Sequence, residues 1–428
     1  MNERAGQGFG RIFPSFATEP ERYTYYERMR LEQPVHVDEE SGVWRVFRYD
    51  DVRRVLTEHA GFSSEAAFAR PEPPRQPELD PRAAHGAQAA APDQPGGFLS
   101  QTVLTTDPPV HTKLRGLVTR TFTPKAIGRL EPLIRDLAAK RLDPAIGNGA
   151  VDIMQELAGP LPITVIATLL GLPARDIPRF RAWADTFNVS QDPATGNPDP
   201  AAFQERLRKM QDELDDYFTP LIEAKRRHPA KDVISDLAHA EVDGKRLGPH
   251  ELRAFCELLL LAGFITTTHL IGNGIWLLSE RPDAFAALRS DAARIPAAVE
   301  EILRYCSPVQ AMARRTVQPI ELGGRTIPPG ARVIAWIGSA NRDAAVFPDG
   351  DRFHLERDPN PHLAFGHGIH FCLGAPLARL EGRVVLEELA RRVGGLEMAP
   401  AASLEFSPGF IHGLRHLPVH LRAPAVKR

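Results

Sequence analysis

Three observations predict a mainly α protein with a small β region. Apolar residues recur at three- and four-residue spacing through six stretches, the periodicity of helices buried on one face. Strand-like runs rich in β-branched residues are only three, and short. No linker rich in Gly and Ser separates two complete periodic regions, so the 428 residues are expected to form one domain, 1–428. No internal repeat is evident.

In chain order, the first element is a strand at 43–48, where Val43 and Val46 follow Gly42. Residues 70–97 cannot continue into regular structure. Pro71, Pro73, Pro74, Pro77, Pro81, Pro92 and Pro95 alternate there with Ala, Gln and Gly, and proline both lacks a donor and blocks a helix. This segment is expected to be a long loop, either an active-site lid or a solvated insertion. Helical spacing then marks 126–146, 163–170, 201–227, 249–280 and 292–305. At ~1.5 Å per residue the stretch 249–280 would run about 45 Å, enough to cross the whole domain. Two strands follow at 320–327 and 332–337, and a last helix at 375–393.

The charge balance, 52 Lys+Arg against 54 Asp+Glu, gives a net −2 and no global field for a polyanion, so no nucleic-acid partner is expected. Three cysteines, Cys256, Cys306 and Cys372, are too few for a disulfide framework and point to a reducing, cytoplasmic setting. The first ten residues lack the basic start and apolar run of an export signal. The strongly apolar stretches 161–172 and 258–265 fall short of the ~18 residues that span a bilayer, so a soluble protein without a membrane is expected.

The densest cluster of unusual residues is Phe365-Gly366-His367-Gly368-Ile369-His370-Phe371-Cys372-Leu373-Gly374, directly before the last helix. The glycines permit positive φ and close approach of a flat partner. A thiol at a helix N-terminus gains from the helix dipole, which favours the thiolate that binds metal. Three readings fit: an inert buried cysteine in a glycine turn, a zinc site using His362, His367, His370 and Cys372, or a haem-thiolate loop. A zinc site has no paired C-x-x-C knuckle here.

The ten residues resemble the haem-binding signature of the cytochrome P-450 family, and the resemblance extends over most of the chain. It implies the triangular helical domain of that family, with one haem b between helix 249–280 and the helix after Cys372. Cys372 would be the proximal iron ligand, whose thiolate pushes electron density toward O–O cleavage. Phe365 and Gly366 would pack at the sulfur and His370 at a propionate. Glu301-Ile302-Leu303-Arg304 resembles the family's Glu-x-x-Arg pair, and Arg352, in a stretch resembling its meander, would complete a buried network with Glu301 and Arg304. His111 and Arg115, four apart on one helical face, and Arg314 would bind propionates, Arg because its fork matches a carboxylate.

In the middle of helix 249–280, Leu261-Ala262-Gly263-Phe264-Ile265-Thr266-Thr267 resembles the oxygen-binding segment. Gly263 would remove bulk beside the iron. A Thr hydroxyl can bond back to the carbonyl of Ala262 or Gly263 and open a groove; Thr266 would be the distal hydrogen-bonding residue. The family usually has an acid before this Thr. Here it is Ile265, which carries no proton. Ordinary monooxygenation with protons from water or Thr is expected, with phenol or C–C coupling and peroxide-driven oxidation as alternatives, and a non-catalytic haem sensor or recruitment protein as a rival. Pocket walls are expected from Phe98, Leu99, Leu258, Leu261, Ala262, Ile265, Gln310, Met312 and Ile411. A mostly apolar pocket suits a hydrophobic small molecule such as a secondary metabolite. No flavin or iron–sulfur region is apparent, so electrons are expected from a ferredoxin with its reductase or a flavodoxin-type donor. Lys113, Arg120, Lys125 and Arg129 form the candidate docking patch. The protein is expected to act as a monomer.

Overall fold

The computed structural model describes residues 14, 16, 18–68, 101–120, 122–189, 200–242, 244–400, 404–407 and 409–424. The Pro-rich segment 70–97 lies outside them, as do Phe98 and Leu99.

Helices make up most of the described chain, and the expected ones form close to their expected bounds: Pro160–Leu170, Pro200–Arg227, Pro249–Ser279, Ile295–Tyr305 and Ala375–Arg392. The stretch 126–146 divides into Pro124–Gly128 and Glu131–Leu142, with Gly128 ending the first and Pro132 opening the second. Helices Glu19–Glu32, Tyr49–Thr57, Val110–Thr119 and Ile177–Val189 add to the six expected stretches.

The β portion is a five-stranded sheet in the order Val35–Val37, Trp44–Val46, Arg332–Ala335, Met312–Thr316, Phe62–Ser63, and a three-stranded one of Gly395–Met398, Pro418–Arg422 and Ala150–Asp152. Register in the larger sheet pairs Val333 with Trp44 in parallel and with Arg314 antiparallel. The expected strand 320–327 is instead a two-stranded hairpin, Ile320–Leu322 with Arg325–Ile327, turned over Gly323 and Gly324. Met312–Thr316 has the sequence of a charged loop, yet it pairs on both sides. Arg314 sits inside this strand.

The long helix Pro249–Ser279 begins with Pro249 in its first turn, and the Glu251 carboxylate accepts from the Gly248 N–H at 2.7 Å. By length and composition it could cross a membrane, but 78% of its most apolar window is buried inside the protein. It is the central core helix. Helix Pro160–Leu170 packs on it so closely that a Cβ on Gly263 would lie 2.9 Å from Ile166 Cδ1 and Cγ1. At Gly263, expected to remove bulk beside the iron, the missing side chain also makes room for Ile166.

Glu301 and Arg304 are fully buried and joined by two hydrogen bonds, 2.7 and 2.8 Å. Arg352 is not their third charged partner: its side chain is exposed and only its carbonyl accepts from Arg304, at 3.0 Å. The third charge is Arg357, whose Nε lies 3.3 Å from the Glu301 carboxylate. Arg304 also donates to the carbonyls of Asn341 and Gly350, so one guanidinium fastens helix Ile295–Tyr305 to two separate turns before the cysteine loop.

Candidate functional site

The loop before helix Ala375–Arg392 turns back on itself: the Cys372 N–H donates to the Phe365 carbonyl at 2.8 Å. Gly366 and Gly368 hold φ of 72° and 71°, which only glycine adopts without strain. The Phe365 ring lies 6.2 Å from that of Phe371 and under the Arg379 guanidinium, 4.6 Å from its centroid. Arg379 is held in turn by Glu300 at 2.8 Å. His362, a candidate zinc ligand, is committed to Glu300 at 3.0 Å.

Among the three cysteines, Cys256 and Cys306 are buried and Cys372 is accessible. Burial pushes the Cys256 and Cys306 thiols up, and the protein packed around the Cys372 sulfur pushes its thiol up too although the residue is open to solvent on one side. At Cys372 the N–H groups of Gly374 and Ala375 and the charges of Arg115 and Arg379 pull the other way without overcoming desolvation. The helix N-terminus therefore does not by itself make this thiol a thiolate. A cation at the sulfur would favour the thiolate.

A second cluster gathers beside the loop. His111, on helix Val110–Thr119, is buried, its ring 4.5 Å from that of His370, and its Nε2 has no hydrogen-bond partner. His370 donates from Nδ1 to the Val103 carbonyl at 3.0 Å, since a carbonyl can only accept, so its Nε2 accepts from Ser64 Oγ at 3.1 Å. Arg115 donates to the Phe371 carbonyl at 2.6 Å. Arg314 is 2% exposed and pairs with no carboxylate among the described residues; its side chain donates to the Ala313 carbonyl. Burial lowers the Arg314 guanidinium to about 10 and the His370 imidazole to about 4. A buried arginine without a counter-ion is costly. With the orphaned His111 nitrogen, it matches a bound group that carries carboxylates. Sequence reasoning missed Ser64, Val103 and Asp107. Asp107 accepts from the N–H groups of Ser64 and Glu65 and fixes the turn that carries Ser64; its only signal is an acid just before the Pro108-Pro109 pair.

On the long helix, Thr266 Oγ1 donates to the Ala262 carbonyl at 2.9 Å and Thr267 Oγ1 to that of Gly263 at 3.2 Å. Ala262 is exposed and Thr266 half-exposed on a helix whose neighbours are buried, so the core opens onto a cleft there. Leu258, Leu261, Ile265 and Ile411 belong to one buried apolar cluster, with Ile411 bridged to Val309. Met312 packs against a different cluster under the sheet. Gln310 is fully buried, donates to the Ser307 carbonyl at 2.7 Å and accepts from Tyr26 Oη at 3.1 Å, so its amide braces the interior.

Residues 82–393 match the family model described as Cytochrome P450. The erythromycin C-12 hydroxylase of Saccharopolyspora erythraea is 40% identical over 410 residues, covering 95% of this chain and 96% of its own. Cytochrome P450 monooxygenase PikC of Streptomyces venezuelae is 38% identical, covering 96% and 94%. Among solved structures, substrate-free CYP109E1 of Bacillus megaterium superposes with a TM-score of 0.82 at 38% identity, covering 94% and 98%. The open form of cytochrome P450 EryK from S. erythraea gives 0.84 at 39%, covering 97% and 100%.

Proposed function

We propose a substrate class, site roles and an electron donor for this chain, which belongs to the cytochrome P450 family and is a monooxygenase that uses haem with a cysteine thiolate ligand. The chain acts as one haem domain. Cys372 is the ligand, because it is the accessible cysteine of the three and stands at the mouth of a helix beside an unpaired arginine and an orphaned histidine nitrogen. That juxtaposition carries the assignment. Arg314, His111 and Arg115 hold the propionates, with His370 fixed beside them by Ser64 and Val103. Phe365 and Gly366 shape the loop around the sulfur. When bound, the haem supplies iron-centred activation of dioxygen with two electrons from a donor.

The protein residues position and protonate. Thr266 keeps its hydroxyl proton on the Ala262 carbonyl, which leaves its oxygen lone pairs free to accept from a ligand or water in the cleft. Ile265 is 3% exposed and apolar, so no side chain at that position brings protons from the surface. Water that enters through the opening at Ala262 and Thr266 supplies them.

The substrate is a hydrophobic small molecule, a secondary metabolite or its precursor. The apolar wall of Leu258, Leu261, Ile265 and Ile411 supports this, as do relatives named for erythromycin hydroxylation and a CYP109E1 structure in complex with testosterone. The donor is a ferredoxin with its reductase, or a flavodoxin-type protein. Lys113, Arg120, Lys125 and Arg129 are all exposed and pair with no carboxylate among the described residues, so their field is available to an acidic partner.

Carbon monoxide added to the reduced protein should give the red-shifted Soret band of thiolate-bound haem. A Cys372→Ser variant that kept that band would overturn the ligand assignment. A screen of hydrophobic metabolites read by haem spin-state change, followed by turnover with a surrogate ferredoxin system, tests the substrate class. Binding without any turnover would favour a recruitment role instead.

A further inference from the structure

We propose that Glu19, Cys306 and His412 form a zinc(II) site, separate from the haem site, that ties the first helix to the C-terminal segment. Their ligand atoms all lie within 4.8 Å of one another. His412 Nε2 is 2.8 Å from Glu19 Oε1, and Cys306 Sγ is 3.8 Å from the same oxygen. Cys306 and His412 are fully buried and the Glu19 side chain is 10% exposed. The three come from helix Glu19–Glu32, the residue that ends helix Ile295–Tyr305, and the stretch before strand Pro418–Arg422, none of which supplies the sulfur or propionate residues.

Thiolate, imidazole and carboxylate together are a zinc donor set. Tetrahedral zinc, with bonds of about 2.0–2.3 Å, spaces its ligands about 3.3–3.6 Å apart, so the 2.8 Å His412–Glu19 pair would open by about 0.5 Å and the 3.8 Å Cys306–Glu19 pair close by a few tenths. One turn after Glu19, the hydroxyl of Tyr23 is buried with no hydrogen-bond partner and lies in the same field as Glu19 and Cys306. His412 Nδ1 is likewise buried and unpartnered.

Charge decides which oxygen the metal takes. Arg22 sits 3.4 Å from Glu19 Oε2, which leaves Oε1 toward Cys306 and His412. Arg342 is nearby but stacked between the rings of Tyr23 and Tyr305, 3.2 and 3.8 Å from their centroids. Zinc binding forms Zn–S, Zn–N and Zn–O bonds and releases the Cys306 thiol proton to solvent, so the two ligand anions balance the ion. His412 follows Ile411 of the bridge to Val309, so the metal would stiffen a wall of the proposed substrate pocket.

The test uses tag-free, haem-loaded protein from cells supplied with zinc. Metal analysis after gel filtration should find one zinc per haem iron, and zinc-edge X-ray absorption should show one sulfur at about 2.3 Å. Cys306→Ser and His412→Gln should lose the zinc while keeping the carbon monoxide spectrum of the haem. Wild-type protein without bound zinc, a zinc shell without sulfur, or zinc unchanged in both variants would overturn the proposal. The wild-type sulfur shell decides it even where a variant fails to fold, and none of these readouts depends on catalytic activity.

Discussion

Replacing arginines around Glu301 should produce a steep and specific gradient of destabilisation. Arg304 is fully buried and donates twice to Glu301 and once each to the carbonyls of Asn341, Gly350 and Arg352, at 2.7–3.0 Å. Arg304→Leu leaves a buried carboxylate short of its main partner, which costs about 3–5 kcal/mol. The carbonyls of Asn341 and Gly350, left without a donor, add about 1 kcal/mol or more each, while that of Arg352 still accepts from Arg357 at 3.3 Å. Against a total stability of about 5–15 kcal/mol, that change should prevent accumulation of haem-loaded protein. Arg357→Leu removes the longer 3.3 Å contact and leaves the Arg304 pair intact, so about 1–3 kcal/mol is expected. Arg352→Ala should stay within about 0.5 kcal/mol, because its side chain is exposed and any residue supplies the carbonyl that Arg304 uses. Urea unfolding of the holoprotein, followed by tryptophan fluorescence with the slope held common, measures the last two. If Arg352→Ala costs as much as Arg357→Leu, the network drawn here is wrong.

Three further outcomes are expected. Gly263→Ala should cost about 1–3 kcal/mol by overpacking Ile166, and Ile166→Val in the same chain should restore most of it; a neutral single variant would show that the two helices have room to part. Burial holds His269 at about 3, well below its ordinary 6.5, so the unfolded chain binds the extra proton as pH falls between those values. The stability His269 contributes is therefore present above about pH 6.5 and is lost toward pH 3 at up to about 1.4 kcal/mol per pH unit; His269→Gln should flatten that slope, and an unchanged acid profile would contradict it. Ile265→Asp places a carboxylate before Thr266 and should raise product formed per electron consumed relative to peroxide released; unchanged rate and coupling would show that protons do not limit turnover here.

The periodic stretches could be read directly because a buried helix writes its apolar face at a local spacing, and five of six folded close to their expected bounds. The cysteine loop could be read because its glycines and its sulfur are contiguous, so their geometry is almost entirely local. The network around Glu301 could not. Arg352 and Arg357 are five residues apart on the same turn-rich segment, and only the packed chain decides which guanidinium faces inward. The partners of Gln310 were not legible for the same reason: Tyr26 and Ser307 come from different elements. Strand Met312–Thr316 carries two arginines, and what makes it a strand is pairing on both edges, a property of its neighbours.

The chain by itself determined the chemistry's address. A sulfur between glycines at a helix start, an Arg four residues after a His, and a threonine in an apolar helix are all short-range patterns. Tertiary structure decided which buried charges have partners and which do not. Burial of a charged group is a cost set by whatever atoms surround it in space, and those atoms come from everywhere along the chain. Among the described residues it left Arg314 without a carboxylate pair and a nitrogen of His111 without a partner, and it brought Glu19, Cys306 and His412 together across almost the full length of the sequence.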